Sequence, residues 1–199
     1  SLSANLKINP PKTILNLSPD IICLQEVDHY NEFYFPKLKD DYDLYAEEKV
    51  STYPDSIVIG LKKETFTFCS KTIITYRNLI LNDYELNQSE NSRFLKGHVA
   101  IVIEAIFKKN NEKIIIVNTH LHWDPKEEDV KLFQVMQIIQ LMERKYKFND
   151  NIIFCGDLNS MPESTVIKFI RNNQNKNELF ETKSKLKTIK DSIIKQRTI

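Results

Sequence analysis

The sequence predicts an α/β domain, in which helices cover a core of β-strands. Two patterns indicate this class: short apolar runs rich in Ile and Val, and longer stretches whose apolar residues recur at spacings of three and four. The chain of 199 residues is 41% hydrophobic, which suffices for one domain with a sizeable core. This composition excludes a disordered tail and a disulfide-stapled miniprotein.

These patterns predict the individual elements in chain order. A helix is expected from Pro11 to Leu17, because Pro19 prevents its continuation. Five strands buried on both faces are predicted at Ile21–Leu24, Ser56–Leu61, Val99–Phe107, Ile114–Val117 and Ile152–Cys155. A helix over 130–146 would place an apolar stripe on the sheet, formed by Leu132, Met136, Ile139, Met142 and Tyr146. A last helix is expected to start at Pro162, a favoured first-turn residue, and to bury Val166, Phe169 and Ile170.

The charges divide the chain into two parts. The net charge is +1, but residues 171–199 carry +5 and residues 1–170 carry −4. We therefore expect a core over residues 1–170, followed by a polar, basic C-terminal segment over 171–199. This segment has Leu186, Ile189 and Ile193 at helical spacing with lysines between them, which is typical of a solvated surface helix; an RNA-contacting basic face is the alternative.

Cysteine usage and hydropathy indicate the compartment. The three cysteines are odd in number and lack CxxC spacing, so free thiols in a reducing compartment are expected. No apolar stretch approaches the roughly 18 residues of a membrane span, and the first residues contain no apolar signal core. We expect a soluble cytoplasmic protein, with the nucleus as a second location and no membrane partner.

Polar side chains that can bind a metal or a phosphate lie at the ends of three predicted strands. Glu26 follows the first strand, His120 the fourth, and Asp157 and Asn159 the fifth. Ligands of sheet-based folds bind beyond strand ends, where side chains leave the core but stay held by rigid elements. Gly156 would let a substrate approach the backbone closely. Because these oxygen donors suit Mg²⁺ and no close His or Cys cluster suits Zn²⁺, the pattern predicts phosphate ester hydrolysis.

Each of these residues also has a structural interpretation. Glu26 alone is typical of a solvated residue at a strand end. Asp157 and Asn159 could form an Asx turn before the last helix. His120 could be a structurally satisfied histidine. Only the three strand ends together favour a site.

Three sequence blocks resemble a known family. They are DIICLQEVDHY from Asp20, VNTHLHWDP from Val117 and IIFCGDLNSMP from Ile152. They are similar to the signature blocks of the endonuclease/exonuclease/phosphatase superfamily, and the HWDP continuation resembles its deadenylase branch, the carbon-catabolite-repressor-type poly(A) nucleases and nocturnin-like enzymes. The resemblance implies a four-layer α/β/β/α sandwich of two mixed sheets.

The same resemblance implies roles for five residues. Glu26 would be the principal ligand of Mg²⁺, with one or two ions and with Mn²⁺ as an alternative. Asp157 would activate or orient the water, Asn159 would hold the scissile phosphate, and His120 would stabilise its developing charge. Pro125 resembles the proline that packs against a target base. The implied reaction releases 5′-AMP from the 3′ end of single-stranded RNA, with poly(A) as substrate and a larger deadenylase complex as partner.

The chain also departs from the family pattern. No strand with an active-site Asn precedes Glu26, and no Ser-Asp-His block follows Asn159, so the family domain is expected to be incomplete at both ends. Ser56 replaces a usual Gly, and His98 replaces a usual amide side chain. Two other functions therefore stay open: a nocturnin-like 2′-phosphatase or 2′,5′-phosphodiesterase on the same metal site, and a catalytically silent RNA- or protein-binding module.

Overall fold

The computed structural model describes residues 9–51, 55–76, 93–147 and 149–172. Two sheets form its centre. The first sheet is antiparallel, in the order β1-β3-β2, with β1 at Ile21–Val27, β2 at Tyr42–Glu48 and β3 at Ser56–Lys62. The second has the order β4-β5-β6-β7, with β4 at Phe66–Thr75, β5 at Val99–Phe107, β6 at Glu112–His120 and β7 at Asn151–Asp157. Only β6 and β7 are parallel, so the second sheet is mixed and the first is not.

Helices cover the outer faces of both sheets. The described helical segments are α1 at Pro10–Leu17, a π-helical turn at Tyr30–Tyr34, α2 at Phe35–Leu38, α3 at Glu128–Lys145 and α4 at Thr165–Asn172. Within the described ranges, no helix has the length and apolar character needed to cross a bilayer.

Three apolar clusters define four layers. One cluster packs α1 and α2 on the first sheet, through Ile14, Leu38 and Tyr42. A second fills the space between the sheets, where Ile59 of β3 meets Ile101 of β5. The third joins the second sheet to α3 and α4, and includes Val117, Val135, Ile138, Val166 and Phe169. The α/β/β/α sandwich is therefore confirmed.

The predicted core strands and helices are present, with two corrections. α4 begins at Thr165 and not at Pro162, because Ser164 Oγ accepts a hydrogen bond from the Ile167 amide at 3.2 Å and so acts as the helix cap. β7 is not buried on both faces: within the described ranges it lies at the edge of the second sheet, and Ile152 and Ile153 are exposed. An Ile-rich run thus does not distinguish a central strand from an edge strand.

The structure adds two strands that the apolar runs did not predict. β2 and β4 carry charged or hydroxyl side chains between their apolar ones, which is the pattern of strands with one solvated face. The proposed boundary at residue 170 stays a prediction, since residues 173–199 lie outside the described ranges.

Candidate active site

The ends of β1, β6 and β7 bring three of the predicted residues together. Asn159 Nδ2 lies 3.0 Å from His120 Nε2, and the same His120 nitrogen lies 3.9 Å from Glu26 Oε1. Asp157 is the register partner of His120 across the parallel β6–β7 pair. Glu26 comes from the first sheet and the others from the second, so this group of residues spans the sandwich.

Asn159 is held by hydrogen bonds from several directions. Its backbone amide donates to Asp157 Oδ1 at 2.8 Å, so the Asx turn considered above is present. Its side-chain Nδ2 also donates to the Leu121 carbonyl at 2.9 Å, and its own carbonyl accepts from Lys131 Nζ at 2.8 Å. Asn159 has a left-handed φ of 45°, a conformation that Asn tolerates better than most residues. These contacts fix its carboxamide beside His120.

The two ring nitrogens of His120 have different surroundings. Nε2 lies 3.0 Å from Asn159 Nδ2, which also donates to the Leu121 carbonyl. Nδ1 is buried and has no hydrogen-bond partner among the described residues. The His98 ring lies 6.2 Å away, centroid to centroid. His120 is thus a buried imidazole whose Nε2 alone faces the other site residues.

Glu26 combines an exposed side chain with a strained backbone. Its side chain is 73% exposed. Its φ of 53° is left-handed, and the register of β1 against β3 shifts between Leu24 and Val27. A left-handed residue other than Gly costs about 1–2 kcal/mol. Strain of this kind is common where a backbone must direct a functional side chain.

Gly156 is required by the neighbouring strand. Its φ is 151°, and a Cβ at this position would lie 2.3 Å from the Thr119 carbonyl oxygen. The close approach that the sequence suggested for a substrate is therefore made by β6 itself. Gly156 allows β7 to place Asp157 beside His120.

A histidine-rich group borders the site and was not identified from the sequence. The His98 ring lies 5.5 Å from that of His122, and burial, followed by the neighbouring His122 and His120, lowers the pKa of His98 to about 4. His122 Nε2 lies 2.5 Å from Glu127 Oε2. Burial, followed by nearby Lys96, lowers the pKa of His122 although Glu127 opposes this effect.

His122, Asp124 and Glu127 form the group of metal-type ligands found among the described residues, with candidate ligand atoms within 4.8 Å of one another. Lys96 Nζ lies 3.0 Å from Glu127 Oε2, and Arg93 Nε lies 3.5 Å from Oε1. The Glu127 charge is thus already matched by two cations, and this group is better explained as an ion-pair network that fixes the loop after β6.

The loop after β6 also carries the predicted base-contacting residue. Pro125 is exposed in a turn, where Lys126 N donates to Asp124 Oδ1 at 2.9 Å. Trp123, two residues before it, is 68% exposed. Two further residues were not assigned a role from sequence: Lys131 contacts Asn159, and Asn118 binds the segment directly before Glu26. Asn118 follows the apolar run Ile114–Val117 at the same strand end as His120, but an amide there gave little signal by itself, and Lys131 stands at the start of a predicted helix, where a charged residue is ordinary.

Comparison with known proteins adds the family. The model of the endonuclease/exonuclease/phosphatase family matches residues 11–192. The chain belongs to this family. The match continues past residue 170 into the basic segment, and it agrees with the three sequence blocks described above.

Two similar proteins are exoribonuclease subunits by name. The probable CCR4-Not complex 3′-5′-exoribonuclease subunit Ccr4 of Vairimorpha ceranae is 31% identical over 187 residues, which cover 84% of this chain and 38% of the relative. The CCR4-Not complex 3′-5′-exoribonuclease subunit Ccr4 of Candida albicans is 30% identical over 181 residues, which cover 78% of this chain and 23% of the relative. The chain therefore spans well under half the length of these two relatives.

Two solved structures share the fold. ANGEL2, described as a 2′,3′-cyclic phosphatase and solved with adenosine-2′,3′-vanadate, matches with a TM-score of 0.68 and 27% identity over 81% of this chain and 46% of its own. The human nocturnin catalytic domain with a bound sulfate matches with a TM-score of 0.68 and 25% identity over 82% of this chain and 60% of its own. These similarities confirm the deadenylase branch as the part of the family that the chain resembles.

Proposed function

We propose that this protein is a metal-dependent 3′-5′ exoribonuclease that hydrolyses the phosphodiester bonds of poly(A) and releases 5′-AMP. The proposal rests on the contacts of His120 with Asn159 and Glu26. They bring an amide donor, an imidazole and a carboxylate together at one group of strand ends. The relatives named 3′-5′-exoribonucleases support RNA as the substrate.

The donor set suits a hard divalent cation. The Glu26 carboxylate is exposed, and its ion contact among the described residues is the His120 imidazole at 3.9 Å. Asp157 adds a second exposed carboxylate on the neighbouring strand end. Such oxygen donors with open positions favour Mg²⁺, with Mn²⁺ as the alternative. When bound, the ion would stabilise negative charge on the phosphate and on the leaving oxygen.

The remaining residues would act on the phosphate and the water. Asn159 Nδ2 would donate to a phosphate oxygen, and its position is fixed before substrate arrives by the Leu121 and Lys131 contacts. His120 would contact the same phosphate through Nε2, the ring nitrogen that faces Glu26 and Asn159. Asp157 would orient the attacking water, and exposed Pro125 would pack against a base of the single strand.

A phosphatase is the second candidate. The observation that favours it is the similarity to ANGEL2, a 2′,3′-cyclic phosphatase, and to nocturnin, at a TM-score of 0.68 for each. A 2′-phosphatase or 2′,5′-phosphodiesterase would use the same carboxylates and the same phosphate donors. The relatives are named subunits of the CCR4-Not complex, so we propose a larger deadenylase complex as partner and the cytoplasm or nucleus as location.

A gel assay of the full-length protein tests the function. The substrates are 5′-labelled RNAs with and without an oligo(A) tail, incubated in Mg²⁺ or in EDTA. We expect a ladder confined to the tail, in Mg²⁺ only. Phosphate release from a 2′-phosphorylated dinucleotide without RNA cleavage would instead support the phosphatase, and binding of RNA without either reaction would support a silent binding module.

Substitution of the carboxylates tests the site. Glu26→Ala and Asp157→Ala should each abolish turnover with an unchanged circular dichroism spectrum. Glu64→Ala is the matched control, because Glu64 is an exposed carboxylate in the turn between β3 and β4. Mg²⁺-dependent turnover in Glu26→Ala at the level of Glu64→Ala would refute the proposed role of Glu26.

A further inference from the structure

Asn118 connects the two sheets beside the site. It lies fully buried on β6. Its Nδ2 donates to the Leu24 carbonyl at 2.9 Å and to the Val58 carbonyl at 3.0 Å, and its Oδ1 accepts from Gln25 Nε2 at 2.6 Å. Both amide hydrogens and the amide oxygen are therefore used, and every partner belongs to the opposite sheet.

These partners lie where the first sheet is irregular. Leu24 and Val58 are register partners, and regular pairing of β1 with β3 then shifts before Val27. Left-handed Glu26 sits in this shift, directly after Gln25. The Asn118 carboxamide thus binds carbonyls on both strands at the point where the backbone begins to project Glu26.

Within the second sheet, Asn118 lies close in sequence and register to the site residues His120 and Asp157. It lies two residues before His120, and its register partner Cys155 lies two residues before Asp157. One side chain therefore connects the segment that carries Glu26 with the strand ends that carry the remaining site residues. A shift of the sheets relative to each other would change the separation of Glu26 from His120.

We propose that Asn118 is a positioning residue, whose hydrogen bonds set the separation of Glu26 from the residues on β6 and β7 and so determine the affinity of the site for a divalent cation. This inference rests on the proposed function, because it takes Glu26 as a ligand. Mg²⁺ requires near-ideal octahedral geometry, so a carboxylate displaced by a fraction of an ångström binds it less well. A purely structural Asn118 would contribute to folding stability without this effect.

The neighbouring Thr119 provides a matched control. It is also fully buried, and its Oγ1 bonds Tyr76 Oη at 2.7 Å and the Val99 carbonyl at 3.2 Å. These partners belong to β5 and to the segment after β4, not to the first sheet. Thr119→Val removes buried hydrogen bonds one residue away and leaves the Asn118 contacts in place.

The test measures Mn²⁺ binding by the free-ion electron paramagnetic resonance signal, without turnover, for the full-length protein. Asn118→Leu should raise the Mn²⁺ dissociation constant by about tenfold or more, as removal of outer hydrogen bonds around metal ligands does. Thr119→Val should stay within about twofold of wild type, although both variants lose thermal stability. A folded Asn118→Leu that binds Mn²⁺ as tightly as Thr119→Val overturns the inference.

Two further variants complete the experiment. Gln25→Met removes the hydrogen bond that half-buried Gln25 donates to Asn118 Oδ1. This variant replaces Asn118→Leu in the test if Asn118→Leu does not fold. It should weaken Mn²⁺ binding several-fold, and wild-type affinity in this variant overturns the inference as well. Glu26→Ala should abolish the binding. If wild type itself shows no Glu26-dependent Mn²⁺ binding, the proposed metal site fails, and the inference fails with it.

Discussion

The free energy of unfolding of the wild type should fall as the pH is lowered because His98 is buried, and the substitution His98→Gln should remove this fall. Burial lowers the pKa of His98 from 6.5 to about 4, with smaller contributions from His122, His120 and Lys49, while Asp55 opposes the change. Between these two pH values the unfolded chain binds more protons than the folded one, so stability falls as the pH falls through this window. At 1.36 kcal/mol per pH unit, the loss reaches about 2 kcal/mol at pH 5 and about 3 kcal/mol below pH 4.

Urea unfolding followed by circular dichroism at pH 7.5, 6 and 5 measures this effect. Relative to wild type, His98→Gln should gain about 2 kcal/mol between pH 7.5 and pH 5. Both proteins keep the other groups around His98, so the contributions of these groups largely cancel in the difference. His29→Gln is the control, because its side chain is 75% exposed and should not show the gain. Parallel pH curves for wild type and His98→Gln would refute the burial argument.

Three further substitutions or measurements follow from the geometry. Gly156→Ala should lower stability by about 2 kcal/mol or more in thermal unfolding, because its Cβ would clash with the Thr119 carbonyl; an unchanged melting temperature would contradict this contact. Glu26→Gly should be about 1 kcal/mol more stable to urea than Glu26→Ala, since only Gly adopts the left-handed backbone without strain; equal midpoints would show that no strain is present. Trp123 is the sole tryptophan, so oligo(A) should quench its fluorescence if the base lies at Pro125, and constant emission at saturating oligo(A) would argue against that placement.

The sequence predicted most of the fold because its central strands are continuously apolar. β3 and β5 are buried on both faces, as runs of Ile and Val indicate. The same criterion failed for β7, whose Ile152 and Ile153 face outward, because composition does not report how many neighbours a strand has. It also left out β2 and β4, whose polar positions face solvent on one side.

The site was predictable only at the strand ends. Glu26, His120 and Asn159 were identified by residue type and position, and the structure brings them together. The contacts that hold them were not predictable, because they are non-local. Asn118 binds a residue 94 positions earlier, and Lys131 binds the Asn159 carbonyl 28 positions later.

The buried lysine of α3 also constrains the length of the chain around it. Lys131 lies in the first turn of α3, is 3% exposed, and reaches Asn159 from the outer helix layer. An α-helix turns by about 100° per residue, so inserting or deleting one residue between Gln134 and Val135 would rotate Lys131 away from that carbonyl while Val135 and Ile138 stay packed on the sheet. Gln134, which accepts from the His122 amide at 2.9 Å, would lose its partner in the same change. Length variation in this protein should therefore concentrate in surface loops, and the first two turns of α3 should keep their length because two polar contacts of the site's surroundings depend on their phase.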